Sequence, residues 1–143
     1  MLVSEILRIK GSTTLFTTTP HGTVRDSVKG MAQNDIGSLV VMENGALVGM
    51  LTFREVLQVL ERQDGELGDV TVSEVMDASP FTTDPHMNVM TLRGNMLERH
   101  ARYVPVVENG TLMGVVSFHD VAKAVYEEQS FENTMLKDYI AAA

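Results

Sequence analysis

The chain repeats itself at a fixed offset. Phe16-Thr17-Thr18-Thr19-Pro20-His21 returns as Phe81-Thr82-Thr83-Asp84-Pro85-His86, and Glu43-Asn44-Gly45 returns as Glu108-Asn109-Gly110. Thr52-Phe53-Arg54-Glu55-Val56 returns as Ser117-Phe118-His119-Asp120-Val121. Every pair is 65 residues apart, and 15 of the 45 positions in 16–60 are identical to their counterparts in 81–125. Such self-similarity marks a duplicated supersecondary unit. A unit of roughly 65 residues buries too little surface alone. The two copies are therefore expected to pack face to face about a pseudo-twofold axis and to share one core.

Each copy reads as β-α-β-β-α, an α/β (α+β) arrangement. The threonine-rich segment, Leu15–Thr19 or Phe81–Thr83, reads as a short strand ended by proline. Val24, Val28 and Met31, then Val89, Leu92, Met96 and Leu97, recur at helical spacing. The apolar runs Leu39–Met42 and Val104–Val107 predict strands buried on both faces. Glu-Asn-Gly supplies a hairpin turn, because Asn-Gly tolerates two positive φ angles. Leu47–Leu51 and Leu112–Val116 return, and the next helix places Val56, Leu57 and Leu60 inward in the first copy.

Lead-in segments repeat as well. Val3-Ser4-Glu5-Ile6-Leu7 matches Val72-Ser73-Glu74-Val75-Met76 at an offset of 69, so the first copy carries extra residues within Arg8–Leu15. The expected division is repeat 1 over 1–62, a linker over 63–71, repeat 2 over 72–126, and a helical extension over 127–143. In that extension Phe131, Met135 and Tyr139 lie four apart beside Leu136 and Ile140, which gives one apolar stripe.

Composition narrows the chemistry. There is no cysteine, so neither a disulfide nor a thiol nucleophile can operate. A net charge of −8 argues against binding duplex nucleic acid, which needs a basic face. No apolar run reaches the ~20 residues of a membrane span. Met1–Glu5 lacks the basic and apolar regions of a signal peptide, and a cytoplasmic location is expected. His21 and His86 occupy matching turns, but a metal needs more converging ligands than these two provide. They read as turn residues.

Both copies place a hydroxyl at a strand end and a carboxylate three residues later, Thr52…Glu55 and Ser117…Asp120. That is the spacing of a helix capping box, in which hydroxyl and carboxylate satisfy two backbone N–H groups. It also suits a ligand turn, with the carboxylate on ribose hydroxyls and the helix-start N–H groups on phosphate. Glu55 is the better capping partner by reach, and the shorter Asp120 suits a ribose diol.

These motifs resemble those of the CBS domain, and two in tandem resemble a CBS pair, or Bateman module. The second copy carries the pattern in Ala101-Arg102-Tyr103-Val104-Pro105-Val106-Val107 and Leu112-Met113-Gly114-Val115-Val116-Ser117-Phe118-His119-Asp120. The first has a looser form, Ile36-Gly37-Ser38-Leu39-Val40-Val41 and Leu47-Val48-Gly49-Met50-Leu51-Thr52-Phe53-Arg54-Glu55. The resemblance implies non-catalytic regulation, with AMP, ADP, ATP, NAD(H) or S-adenosylmethionine bound in clefts between the copies. It implies one site of Thr82, Arg102, Tyr103, Pro105, Ser117, His119 and Asp120, and a second of Thr17, Ser38, Thr52, Arg54 and Glu55. Glu55 stands where the family has aspartate and Val40 where it has proline, so the second copy is expected to hold the better site. A homodimer and a separate effector protein are the implied partners. The competing reading is an interaction or assembly module with vestigial clefts. Neither a phosphate loop nor a Gly-x-Ser-x-Gly motif occurs, so no enzymatic reading is required.

Overall fold

The computed structural model describes residues 1–11 and 15–142. Ser12–Thr14, which fall in the predicted insertion, and Ala143 lie outside the described residues. The elements run α1 (Val3–Lys10), β1 (Thr17–Thr18), α2 (Val24–Asn34), β2 (Ser38–Glu43), β3 (Ala46–Thr52), α3 (Phe53–Arg62) and α4 (Val72–Val75). The second copy adds α5 (Val89–Arg99), β4 (Tyr103–Glu108), β5 (Thr111–Ser117) and α6 (Phe118–Ala142).

The duplication extends to backbone detail. β2 and β3 pair antiparallel with a register shift between Val41 and Met42, and β4 and β5 pair antiparallel with the same shift between Val106 and Val107. The Asn-Gly turns adopt the expected paired positive φ, 52° and 78° at Asn44 and Gly45, and 50° and 79° at Asn109 and Gly110. β1 joins β2 in parallel, whereas its counterpart shrinks to one parallel bridge, Thr83 with Val106.

The lead-ins are exchanged. Val3 N–H donates to Met87 O at 2.9 Å, and Val72 N–H donates to Gly22 O at 2.8 Å, so each copy's first helix is stitched to the other copy. Ser4 N–H on Pro85 O and Ser73 N–H on Pro20 O repeat the exchange one residue later, both at 2.9 Å. Two clusters of buried side chains result, in place of the single shared core expected. One sets Val3 and Ile6 of α1 against Val89, Leu92, Met96, Val104, Val106, Val116 and Val121 of the second copy. In the other, Val72 of α4 packs on Val41 and Leu51 of the first copy. Glycines permit the close approach. A Cβ on Gly49 would meet Asp77 O at 2.7 Å and Met76 Sδ at 2.8 Å, and one on Gly114 would meet Leu7 Cδ2 at 2.9 Å.

Five expected helix core positions face outward or are only half-covered, Val56 and Leu60 among the half-covered. Leu57 and Leu97 are 64% and 53% exposed, and Val28 is half-buried. On α3 the inner stripe is Glu55 and Val59, one helical turn apart, and Leu57 lies two residues round the helix from each. On α2 the buried positions are Val24, Ser27 and Met31. The extension is continuous with α6, a single 25-residue helix rather than a separate element.

Candidate functional site

Both hydroxyl–carboxylate turns are capping boxes. At the start of α3, Glu55 Oε1 accepts from Thr52 N–H at 2.7 Å and from the Thr52 hydroxyl at 2.8 Å, while Arg54 N–H donates to Thr52 Oγ1 at 3.3 Å. At the start of α6, Ser117 N–H donates to Asp120 Oδ2 at 2.9 Å and Asp120 N–H donates to Ser117 Oγ at 3.0 Å. Each turn satisfies backbone donors that a helix start leaves free. Both also hold a carboxylate at a sheet end between the copies.

The two carboxylates have different neighbours. Lys10, the last residue of α1, donates from Nζ to Asp120 Oδ2 at 2.8 Å and to Val115 O at 2.9 Å. Burial pushes the Asp120 carboxyl up, but the hydrogen bonds from Lys10 and Ser117 and the Lys10 charge outweigh it. The net effect holds Asp120 below the usual carboxylate range. Glu55 is almost fully buried and receives no cation; among the described residues only Thr52 bonds its carboxylate.

A cavity of about 620 Å³ lies over the Glu55 turn. One wall is Thr52, Phe53, Arg54 and Glu55 of the first copy. The facing wall comes from the second copy, as Asp77, Ser79, Pro80 and Phe81 after α4 and Arg99 to Tyr103 leading into β4. Arg54 is fixed across the seam, donating from Nη2 to His100 O at 2.9 Å. The Arg99 guanidinium lies 4.5 Å from the centroid of the Phe81 ring. Phe53 and Tyr103 meet edge-on at 6.1 Å. Burial pushes the Tyr103 phenol up against the opposing charge of Arg102, so it stays neutral at ordinary pH. Arg102 is exposed and makes no side-chain hydrogen bond or ion pair among the described residues. Gly37 is required here, because a Cβ would run into the Tyr103 hydroxyl and the Phe53 ring.

The grouping by copy is therefore not the grouping made by the fold. Arg102 and Tyr103, assigned from the motif to the Asp120 site, share the cavity with Thr52, Arg54 and Glu55. Ser117, His119 and Asp120 do not line it. Pro105 is buried in β4, where its carbonyl accepts from Thr83 N–H, and Thr82 is exposed outside the cavity. Ser38 pairs with Thr52 across the β2–β3 ladder. Thr17 lines a separate cavity of about 350 Å³ between β1 and α2. Motif reasoning did not single out Ser79, Phe81 or Arg99. Their signal was absent because Ser79 and Phe81 follow α4 and Arg99 ends α5, and only the packing of the two copies brings them to Glu55. His21 and His86 sit in matching turns as expected, each against a glutamate, Glu43 at 3.8 Å and Glu108 at 3.3 Å. No group of three or more metal-ligating residues forms among the described residues. No helix of the described residues is long and apolar enough to cross a membrane.

Comparison with known proteins agrees with this architecture. The CBS domain profile matches residues 3–62 and again 72–127. The CBS domain-containing protein CBSX3, mitochondrial, of Arabidopsis thaliana is 31% identical over 96% of this chain and 71% of its own length. The CBS domain-containing protein YhcV of Bacillus subtilis is 32% identical over 78% of this chain and 79% of its own. Among solved structures, a protein with CBS domains from Burkholderia ambifaria superposes with a TM-score of 0.84 at 28% identity, covering 90% of this chain and 96% of that one. The CBS domain pair of protein MJ0100, in complex with 5′-methylthioadenosine and S-adenosyl-L-methionine, superposes at 0.75 with 22% identity, covering 90% and 98%. The chain belongs to the CBS domain family and folds as a tandem CBS pair.

Proposed function

We propose that this CBS pair is a non-catalytic sensor that binds an adenosine-containing nucleotide in the Glu55 cavity and so biases a partner protein. The carrying observation is the 620 Å³ cavity, formed between both copies and lined by the carboxylates of Glu55, Glu61 and Asp77, aromatic rings and the cations Arg54, Arg99 and Arg102. Its volume falls in the range of small-molecule sites, about 300–1,000 Å³. Tyr103 offers a ring for a base, and Arg102 offers planar paired donors for phosphate. Glu55 spends Oε1 on Thr52, which leaves Oε2 for a ribose hydroxyl. MJ0100, with the same fold, holds adenosine compounds.

A ligand that binds only the folded state raises the melting temperature by mass action. A thermal-melt screen of the full chain against AMP, ADP, ATP, NAD, NADH and S-adenosylmethionine tests the reading. At least one should raise Tm, and Arg102→Ala should reduce the rise. Flat melting curves for all six at millimolar concentration would end the nucleotide hypothesis. The interaction reading also has an observation in its favour, since Phe131, Met135, Leu136, Tyr139 and Ile140 are each more than half exposed on α6. A homodimer would give those side chains a covering surface.

A further inference from the structure

We infer that Lys10 closes the cleft of the second copy, so that the chain takes one nucleotide, over Glu55, rather than two. This rests on the nucleotide reading of the clefts above. Pseudo-symmetry supplies the comparison. In the Glu55 cleft the lead-in helix α4 is four residues long and stops at Val75. The backbone then runs extended, and Asp77 N–H donates to Met50 O at 2.9 Å. Two residues on, at the cleft wall, stands the small side chain of Ser79.

In the other cleft α1 continues to eight residues and ends at Lys10, capped by Gly11 at a φ of 65°. Met50 corresponds to Val115 at the 65-residue offset, and Lys10 lies in Arg8–Leu15, the stretch that carries the extra residues of the first copy. The carbonyl that took a backbone N–H in one cleft takes the lysine ammonium in the other, Val115 O at 2.9 Å. The same ammonium continues to Asp120 Oδ2 at 2.8 Å. Lys10 thus shares Oδ2 with Ser117 N–H and sets a charged side chain against the Asp120 carboxylate, whereas no cation reaches Glu55. The remaining walls differ in the same sense. The counterparts of Arg54, Arg99 and Arg102 are His119, Asn34 and Gly37, so the second cleft lacks all three guanidinium groups.

Isothermal titration of the full chain with ATP, and separately with AMP, provides the test. Wild type should bind one nucleotide per chain, and Arg102→Ala should abolish or strongly weaken that event. Lys10→Ala should bind two, and Lys10→Ala combined with Arg102→Ala should keep one. Lys10 lies at a helix end and is partly exposed, and a cooperative melt of each variant confirms folding. Two nucleotides on wild type would overturn the inference, as would one or none on Lys10→Ala when wild type binds one. Silent wild type with a binding Lys10→Ala would uphold the closure while removing the Glu55 site. Silence of both proteins with both nucleotides would defeat the nucleotide reading, and this inference with it.

Discussion

At the scale of single residues, the duplication makes each side chain a control for its counterpart. Thr18 Oγ1 lies 3.4 Å from Ser27 Oγ, so the hydroxyl of the first copy has a partner. In the second copy Ser27 is replaced by Leu92, and the buried Thr83 Oγ1 has no partner among the described residues. An unpaired buried hydroxyl costs about 1–3 kcal/mol. Thr83→Val should therefore raise stability by about 1 kcal/mol, while Thr18→Val should lower it, in paired urea-unfolding curves. The Lys10–Asp120 pair gives a pH prediction. Asp120 titrates below the usual carboxylate range in the folded state, so the unfolded chain binds the more protons as pH falls. Its contribution is complete above about pH 4 and is lost as pH drops through the folded value. Lys10→Ala should melt below wild type at neutral pH, and the two Tm–pH profiles should converge on acidification. A constant gap down to low pH would remove the ion pair as the cause. The carboxylates themselves were legible in the sequence, both as caps and as candidate site groups. Their inequality was expected from side-chain length and motif, but the contact that sets Asp120 apart was not, because Lys10 lies 110 residues from it.

At the scale of elements, local pattern predicted what local physics decides. The strands of both hairpins, their Asn-Gly turns and the helices were readable because each depends on residues within a few positions. Leu57 shows where that fails. Apolar content pointed it inward, but Glu55 is held by the cap at Thr52 and sets the phase of α3, which turns Leu57 to the surface. The seam between a lead-in helix and the opposite hairpin is similarly invisible to periodicity. Its two halves should respond unequally to one added methyl group. At Gly49 the group meets a backbone carbonyl, Asp77 O, which is itself locked in the bridge to Met50. At Gly114 it meets the end of the Leu7 side chain, which can rotate away. Gly49→Ala should cost about 1–3 kcal/mol, the usual range for overpacking, and Gly114→Ala clearly less. Equal costs in denaturant titration would contradict the seam as described. For α6 the corresponding experiment is truncation after Glu128. Loss of the exposed apolar stripe should reduce mass in solution if the helix is the dimer contact, and unchanged mass rules it out.

At the scale of the whole molecule, the unit that repeats is not the unit that packs. The sequence divides after the first copy, but α1 completes the second copy's core and α4 packs against the first copy. The same exchange explains why the site could be recognised but not assembled from the motifs. Glu55, Arg54 and Arg102 were all identifiable, yet which carboxylate faces Arg102 depends on how the copies cross. The crossing also has a thermodynamic consequence. Neither copy can lose its fold without stripping a buried helix, and its backbone hydrogen bonds at Val3 or Val72, from the other. Small chains whose parts interlock as one domain unfold in a single step. Hydrogen exchange of Val106 in β4 and of Val41 in β2, one in each copy, should therefore report the same opening free energy. Cleavage by a protease within 63–69 should leave both fragments in one particle, because the lead-in contacts do not run through the linker. Separate exchange free energies for the two hairpins, or dissociation after cleavage, would mean that the copies fold as independent domains. In that case ligand binding between them could not be transmitted through the seam.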